Sequence, residues 1–315
     1  MTTRRRGKYS VAPGRSRRTL GRLHGIAADP LATGARWRAR VDPAGFLRRH
    51  ARLARRVGID RLYLVLSFDC DTAHDAAVVA GVHDRLRRLG VQPTYAVPGA
   101  LLKRASDVYC ALAKDGAEFL NHGGVEHTYF DKELGRDASC FFYDEIGPTR
   151  VRRDIEQGHG LVTDVLGQSP AGFRTPHFAT YSAASQLRHL YSVLCDLGYR
   201  FSTSATPRFA IRHGPVSRAL GLLELPVTGI PSSPFEILDT WAFFAAPDRL
   251  RSPADYVEQA QALASGLSAA GAGLINVYGD PAHIHDRPEF FEAVEAWVSV
   301  AEPISYDRLL DQVTA

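Results

Sequence analysis

Apolar residues in this chain come in short unbroken runs, each followed by a longer stretch with helical spacing. The clearest run is Leu62-Tyr63-Leu64-Val65-Leu66. Five apolar or aromatic residues without a polar break suit a strand buried on both faces of a parallel sheet. Behind it, Val78, Val79, Val82, Leu86 and Leu89 share one face of a helix predicted over 76–89, and Gly90 supplies the stop. Upstream, Asp42-Pro43 reads as a helix start, with an acid at the N-cap and proline at the first helical position. That helix is expected to run through Phe46, Leu47, His50, Leu53 and Ala54 to Gly58.

The beat repeats. Further strands are predicted over 93–97, 117–120, 172–173, 199–202, 222–225 and 274–278. Helices are predicted over 101–114, 149–166, 183–197, 247–270 and 288–300. A last short strand is expected over 304–306, before a terminal helix. Between Gly123 and Gly147 the pattern lapses into an irregular excursion carrying Tyr129, Phe130, Phe141, Phe142 and Tyr143, expected to fold over a site. Residues 20–41 show little periodicity. Roughly six to eight strands alternating with helices over about 250 residues predict a closed or nearly closed parallel α/β barrel.

Composition changes this picture little, and charge changes it at one end. The 315 residues suffice for one large core, and no apolar run approaches the roughly 18–20 residues that a membrane-spanning helix needs. Residues 1–56 hold 16 Lys and Arg against Asp29 and Asp42, a net of +14 that leaves −10 on the remainder of a chain whose total is +4. The first 40 residues therefore read as a basic, flexible extension, and residues 41–315 as a single barrel domain. No aromatic is interleaved among the arginines of 15–22, so nucleic acid is not the expected partner. The basic arm alone keeps that reading open. The four cysteines (Cys70, Cys110, Cys140, Cys195) form no C-x-x-C pair, and the basic N-terminus has no apolar segment behind it. A cytoplasmic protein with reduced thiols is expected.

Candidate chemistry gathers where the predicted strands end. After the first strand come Asp69 and Asp71, after the third His122 and His127, and after the fourth Arg174-Thr175-Pro176-His177. After the late strand comes Gly279-Asp280-Pro281-Ala282-His283-Ile284-His285. Carboxyl ends of strands are where α/β folds bind ligands. Two acids so close repel unless a cation or a strong donor lies between them, although an acidic turn capping the next helix near Asp75 would also account for them. A single histidine is more often a hydrogen-bonded structural residue than a ligand. One carboxylate and two imidazoles together suit a divalent ion of the zinc class.

The order of these residues resembles the polysaccharide deacetylases, the NodB-homology domains of the family 4 carbohydrate esterases. The resemblance spans Leu62 to Tyr306. Ser67-Phe68-Asp69-Cys70-Asp71 resembles the family's first motif, Asn121-His122 through His127 its second, and Arg174-Thr175-Pro176 its third. Leu223-Glu224-Leu225-Pro226 and Asp239-Thr240-Trp241 resemble further landmarks. The resemblance implies a distorted (β/α)7 barrel and a divalent metal ion, zinc before cobalt, nickel or manganese, held by Asp71, His122 and His127. It implies Asp69 as general base, Arg174 as its anchor, the backbone N–H of His177 at the oxyanion, and Trp241 near the substrate. His283 is the implied general acid, with His285 as the alternative.

The departures are specific. His122 and His127 are five apart where the family has four, and Glu126 stands at four. Two ligands five apart do not share a helical face, so either the loop is non-helical, as Gly123-Gly124 permits, or Glu126 is the ligand. Phe201-Ser202-Thr203-Ser204 lacks the acid and tryptophan usual in the fourth motif, and Asp280-Pro281 stands at the usual His-Pro. The implied activity is removal of an N-acyl group, most simply N-acetyl, from a small amino sugar or glycoside. The alternatives are a metal-dependent amidohydrolase on a non-sugar or cyclic amide, and an inactive glycan-binding barrel.

Overall fold

The computed structural model describes residues 30–133, 135–246 and 251–313. Thirteen strands are present among these residues: β1 (Leu62–Asp69), β2 (Thr94–Val97), β3 (Glu118–Asn121), β4 (Thr128–Asp131), β5 (Arg136–Ser139), β6 (Gly172–Phe173), β7 (Phe201–Ser202), β8 (Ser217–Ala219), β9 (Leu222–Glu224), β10 (Gly229–Ile230), β11 (Ser233–Ile237), β12 (Gly273–Gly279) and β13 (Glu302–Pro303). The main sheet runs β12-β1-β2-β3-β6-β7-β9-β8, and β13 pairs with β1. From β12 to β9 every pairing is parallel, and only β8 runs antiparallel to its neighbour. The sheet curls until the segment after β9 meets β12, where Thr228 N–H donates to Asn276 O at 2.8 Å and Asn276 N–H to Thr228 Oγ1 at 2.8 Å. This is a distorted (β/α)7 barrel, as expected.

The period-two geometry of β1 explains the placement of its acids. Leu62, Leu64, Leu66, Phe68 and Cys70 pack outward in the layer under the helices, with Val79, Val82 and Leu86 of helix 73–88. Tyr63 and Val65 point the other way, into a cluster with Phe201, Leu225 and Tyr306. Continuing that inward row gives Ser67, Asp69 and Asp71. The helix that follows begins at Ala73, capped by Thr72 and Asp75 in a reciprocal capping box. Neither Asp69 nor Asp71 is used as a cap.

The helix over 43–55 starts as read, with Asp42 Oδ1 accepting from Gly45 N at 2.8 Å. Several readings need correction. Residues 30–41, which show little periodicity, form a helix that packs on helix 43–55. The excursion after Gly123 is not wholly irregular, since β4 and β5 form an antiparallel hairpin. The helix expected from Pro247 begins at Pro253, where Ser252 and Asp255 form the capping box, and 247–250 lie outside the described residues. The strand expected over 304–306 is displaced to β13, and Tyr306 opens the last helix, 306–312. The basic extension lies outside the described residues up to Asp29. No helix among those described is long and apolar enough to cross a membrane.

Candidate active site

Asp71, His122 and His127 are all buried, and one ligand atom from each lies within 4.8 Å of the others. Asp71 Oδ1 is 2.8 Å from His127 Nε2 and 3.4 Å from His122 Nε2. At these separations none of the three atoms has an aligned hydrogen bond. Three converging, buried, unsatisfied polar atoms would be costly without a common partner. A tetrahedral zinc-class ion with bonds of roughly 2.0–2.1 Å keeps its ligand atoms about 3.3 Å apart, so the set fits such an ion. His122 Nδ1 lies 2.8 Å from Arg174 O, which makes Nδ1 the donor and leaves the Nε2 lone pair for the ion.

The five-residue spacing is resolved by the loop. Gly123 turns at φ 87°, and a Cβ there would sit 2.5 Å from Asp154 Oδ2. The chain leaves β3, reverses, and enters β4 with His127 folded back beside His122, ring centroids 4.7 Å apart and nearly perpendicular. Glu126 goes elsewhere, into an ion pair with Arg104 on the surface.

Asp69 occupies the next position along the inward row. Its Oδ1 accepts from Arg174 Nη1 at 2.8 Å, while its Oδ2 faces His122 Nε2 at 3.9 Å. Arg174 is wholly buried. Its Nη2 donates to Ser67 Oγ at 2.7 Å and to Tyr306 OH at 3.1 Å, and Tyr306 OH donates to Asn276 Oδ1 at 2.7 Å. The two acids differ in proton affinity. Burial pushes the Asp69 carboxyl up, and the charges of Arg174 and His122 offset this only in part. Burial opposes ionisation of Asp71 as well, but His127 and His122 overcome it and hold that carboxyl well below the usual range. One carboxylate is thus kept ionised beside another that takes a proton more readily.

Across the mouth, His283 Nδ1 lies 3.0 Å from Asp280 Oδ2 and 3.2 Å from Thr240 Oγ1. Asp239 Oδ1 accepts from Ala242 N at 2.8 Å, securing the π-helical turn 241–245 that sets Trp241 5.7 Å from the His283 ring. His285 is set instead against His74, 5.4 Å away. His177 is buried, in the left-handed region at φ 56° that a non-glycine residue seldom adopts. Its ring packs edge-on to His127 at 4.9 Å, and its Nε2 lies 3.1 Å from Cys140 O.

No sequence-family description and no curated protein sequence matches the chain. Solved structures do. One, a Mycobacterium smegmatis protein named for the polysaccharide deacetylases, superposes with a TM-score of 0.61 at 18% identity, covering 81% of this chain and 91% of that one. A Pseudomonas aeruginosa protein of the same naming gives 0.57 at 12%, covering 80% and 91%. The allantoinase PuuE gives 0.55 at 11%, covering 80% and 90%. The chain has the polysaccharide deacetylase fold.

Within that fold the strand-end residues named from the sequence meet in one place: Asp69, Asp71, His122, His127, Arg174 and His177 on one side, and His283 with Trp241 on the other. The interior relay of Ser67, Asn276 and Tyr306 escaped the sequence reading. Ser67 could have been found, because it lies two before Asp69 on the same face. Asn276 could have been noticed as the polar break inside an otherwise apolar strand, Gly273–Gly279. Tyr306 carried no such signal.

Proposed function

We propose that this protein is a divergent, metal-dependent N-deacetylase of the polysaccharide deacetylase family, acting on an N-acetylated amino sugar. The observation that supports it above others is the convergence of Asp71, His122 and His127 on one point, beside an Asp69 held by buried Arg174. A divalent ion bound there, zinc by the chemistry of one carboxylate and two imidazoles, supplies Lewis-acid polarisation of water and of the amide carbonyl. Asp69 takes the proton of the attacking water at Oδ2, since Oδ1 is engaged by Arg174. Arg174 keeps that carboxylate oriented and balances its charge where both side chains are buried. The backbone N–H of His177, on its left-handed turn, donates to the developing oxyanion. His283, with Nδ1 turned to Asp280, gives a proton from Nε2 to the departing amine, which is a poor leaving group until protonated. Trp241 offers a face for the sugar ring.

The test is acetate release from N-acetylglucosamine and its oligomers by zinc-loaded protein, beside the chelated protein, Asp69→Asn, and allantoin as a cyclic amide. Acetate release that needs both the metal and Asp69 is the expected result. Ring opening of allantoin without acetate release would move the assignment to cyclic amides. Absence of both activities in the loaded protein would leave an inactive barrel.

A further inference from the structure

A surface helix ordinarily turns its large apolar side chains to the core. The helix Pro30–Val41 does the reverse: Trp37 is 67% exposed and Val41 61%, while the residue buried against the body is Ala39. At roughly 3.6 residues per turn, Trp37 and Val41 are neighbours one turn apart, with exposed Arg38 on one side of the pair and exposed Arg40 on the other. The helix is held in this orientation by packing on helix 43–55 and on helix 207–213. The charge around the pair is of one sign. Residues 30–56 hold eight arginines and one acid, Asp42, which lies 3.7 Å from Arg48. Among the described residues no acid pairs with Arg38, Arg49, Arg52 or Arg56. Burial, together with the charges of Arg38, Arg52 and Arg56, holds the Arg49 guanidinium below its usual value, so these four share one surface across the two helices. That surface lies away from the catalytic mouth: His50 of helix 43–55 sits 3.4 Å from the N–H of Leu274 near the start of β12, whereas Asp280 and His283 follow the other end of that strand.

An exposed indole and an aliphatic side chain set among unpaired arginines match the interface of an anionic bilayer. Indole rings settle at the level of the lipid headgroups, and aliphatic side chains reach the acyl boundary below them. Each arginine near an anionic lipid surface contributes about 1 kcal/mol. A nucleic acid would satisfy the arginines and offer Trp37 a base to stack on, but its phosphate backbone offers Val41 nothing. We propose that the outer face of helices 30–41 and 43–55 docks on an anionic lipid surface, with Trp37 and Val41 entering the headgroup layer and Arg38, Arg40 and Arg52 against the lipid phosphates. Docked this way, the mouth of the barrel faces away from the bilayer. The contact localises the protein and does not itself present substrate, so it stands independently of the N-deacetylase reading.

Flotation of the full chain with lipid vesicles tests it. Vesicles of phosphatidylcholine alone are compared with vesicles in which roughly one lipid in three is phosphatidylglycerol. The chain should float with the anionic vesicles and stay behind with the neutral ones. Trp37→Ser and Val41→Ser should each weaken binding, Trp37→Ser by about tenfold. Arg38→Glu combined with Arg40→Glu should weaken it on the order of 100-fold. These side chains are exposed, so the variants should keep the wild-type Tm. Leu220→Ser, at a side chain 61% exposed on a turn elsewhere, should bind as the wild type does. Trp297 is buried and Trp241 packs against His283, so the shift of tryptophan emission to shorter wavelength on binding should come from Trp37 and disappear in Trp37→Phe. Flotation with neither vesicle, or equally with both, overturns the proposal. So does flotation that Trp37→Ser and Val41→Ser leave intact, since charge alone would then account for it. Tighter binding to a duplex oligonucleotide than to the anionic vesicles, with the same dependence on Trp37, would overturn it in favour of nucleic acid.

Discussion

Arg174 Nη1 and Asp69 Oδ1 meet at 2.8 Å, both buried, at the end of the row of inward-facing side chains on β1. The pair decides which carboxylate oxygen is available: Oδ1 is held, and Oδ2 is turned to the histidine side of the centre. Asparagine at 69 keeps the shape but cannot take a proton. Asp69→Asn should retain the bound ion and lose activity on the order of 100-fold or more, read as kcat beside metal content. Asp71→Asn should lose the ion and the activity together. Equal metal loss in both variants would show that the roles of the two acids are misassigned.

Arg174 is itself held from behind by Tyr306 OH, which Asn276 anchors in turn. Tyr306 is thus a positioning residue acting through Arg174 and Asp69. Tyr306→Phe removes one hydrogen bond to a charged group and should lower kcat by about tenfold with KM little changed. The loss should vanish in the Asp69→Asn background, where no base remains to be positioned. A loss that persists there would mark a merely structural role.

His127, rather than Glu126, stands with Asp71 and His122 in the buried cluster. Glu126→Gln should keep one ion per chain, because its carboxylate is already paired with Arg104 on the surface. His127→Ala should drop the affinity steeply. In the wild type, chelation should lower Tm and zinc should restore it, since a ligand bound only by the folded state stabilises by mass action. A Tm indifferent to chelator and zinc would be incompatible with the centre.

The general acid separates by leaving group. His283, in contact with Asp280 and Thr240, is the expected donor, whereas His285 stands against His74. His283→Ala should depress amide hydrolysis strongly and spare an activated aryl acetate, whose leaving group needs no proton. If His285→Ala shows that pattern and His283→Ala does not, the donor is His285.

Stability should depend on pH through Glu224 of β9, remote in sequence from Asp71, His122 and His127. Burial pushes its carboxyl from 4.5 up to about 7, against the pull of the Ser204 and Ala205 N–H groups that donate to Oε1. A folded-state pKa above the unfolded value means that the folded protein binds the proton more tightly. The stabilisation is therefore complete below pH 4.5 and is lost as pH rises through 7. The swing is on the order of 3 kcal/mol for this group. Urea midpoints measured from pH 4.5 to 8 should fall in the wild type and fall less in Glu224→Gln; parallel curves would refute this.

Much of this protein is legible in its sequence because the information is local. The run Leu62–Leu66, the helical face Val79-Val82-Leu86 and the stop at Gly90 depend on neighbours within a few residues, and the structure bears out a strand–helix alternation wound into a barrel. Strand-end placement and the motif order likewise marked Asp69, Asp71, His122 and Arg174, because the carboxyl ends of parallel strands all open on one face. What the sequence left open depends on contacts between distant segments. Whether His127 or Glu126 turns inward was settled by Gly123, whose positive φ reverses the chain against Asp154. The hairpin β4–β5 has no apolar alternation to announce it, since Thr128, Asp131, Arg136, Asp137 and Ser139 interrupt any apolar row on either face. Tyr306 reaches Arg174 across 132 residues of chain, and only closure of the barrel brings them together. Local patterning fixes which segments become strands and helices; which side chains share the buried interior is decided by the curl of the sheet.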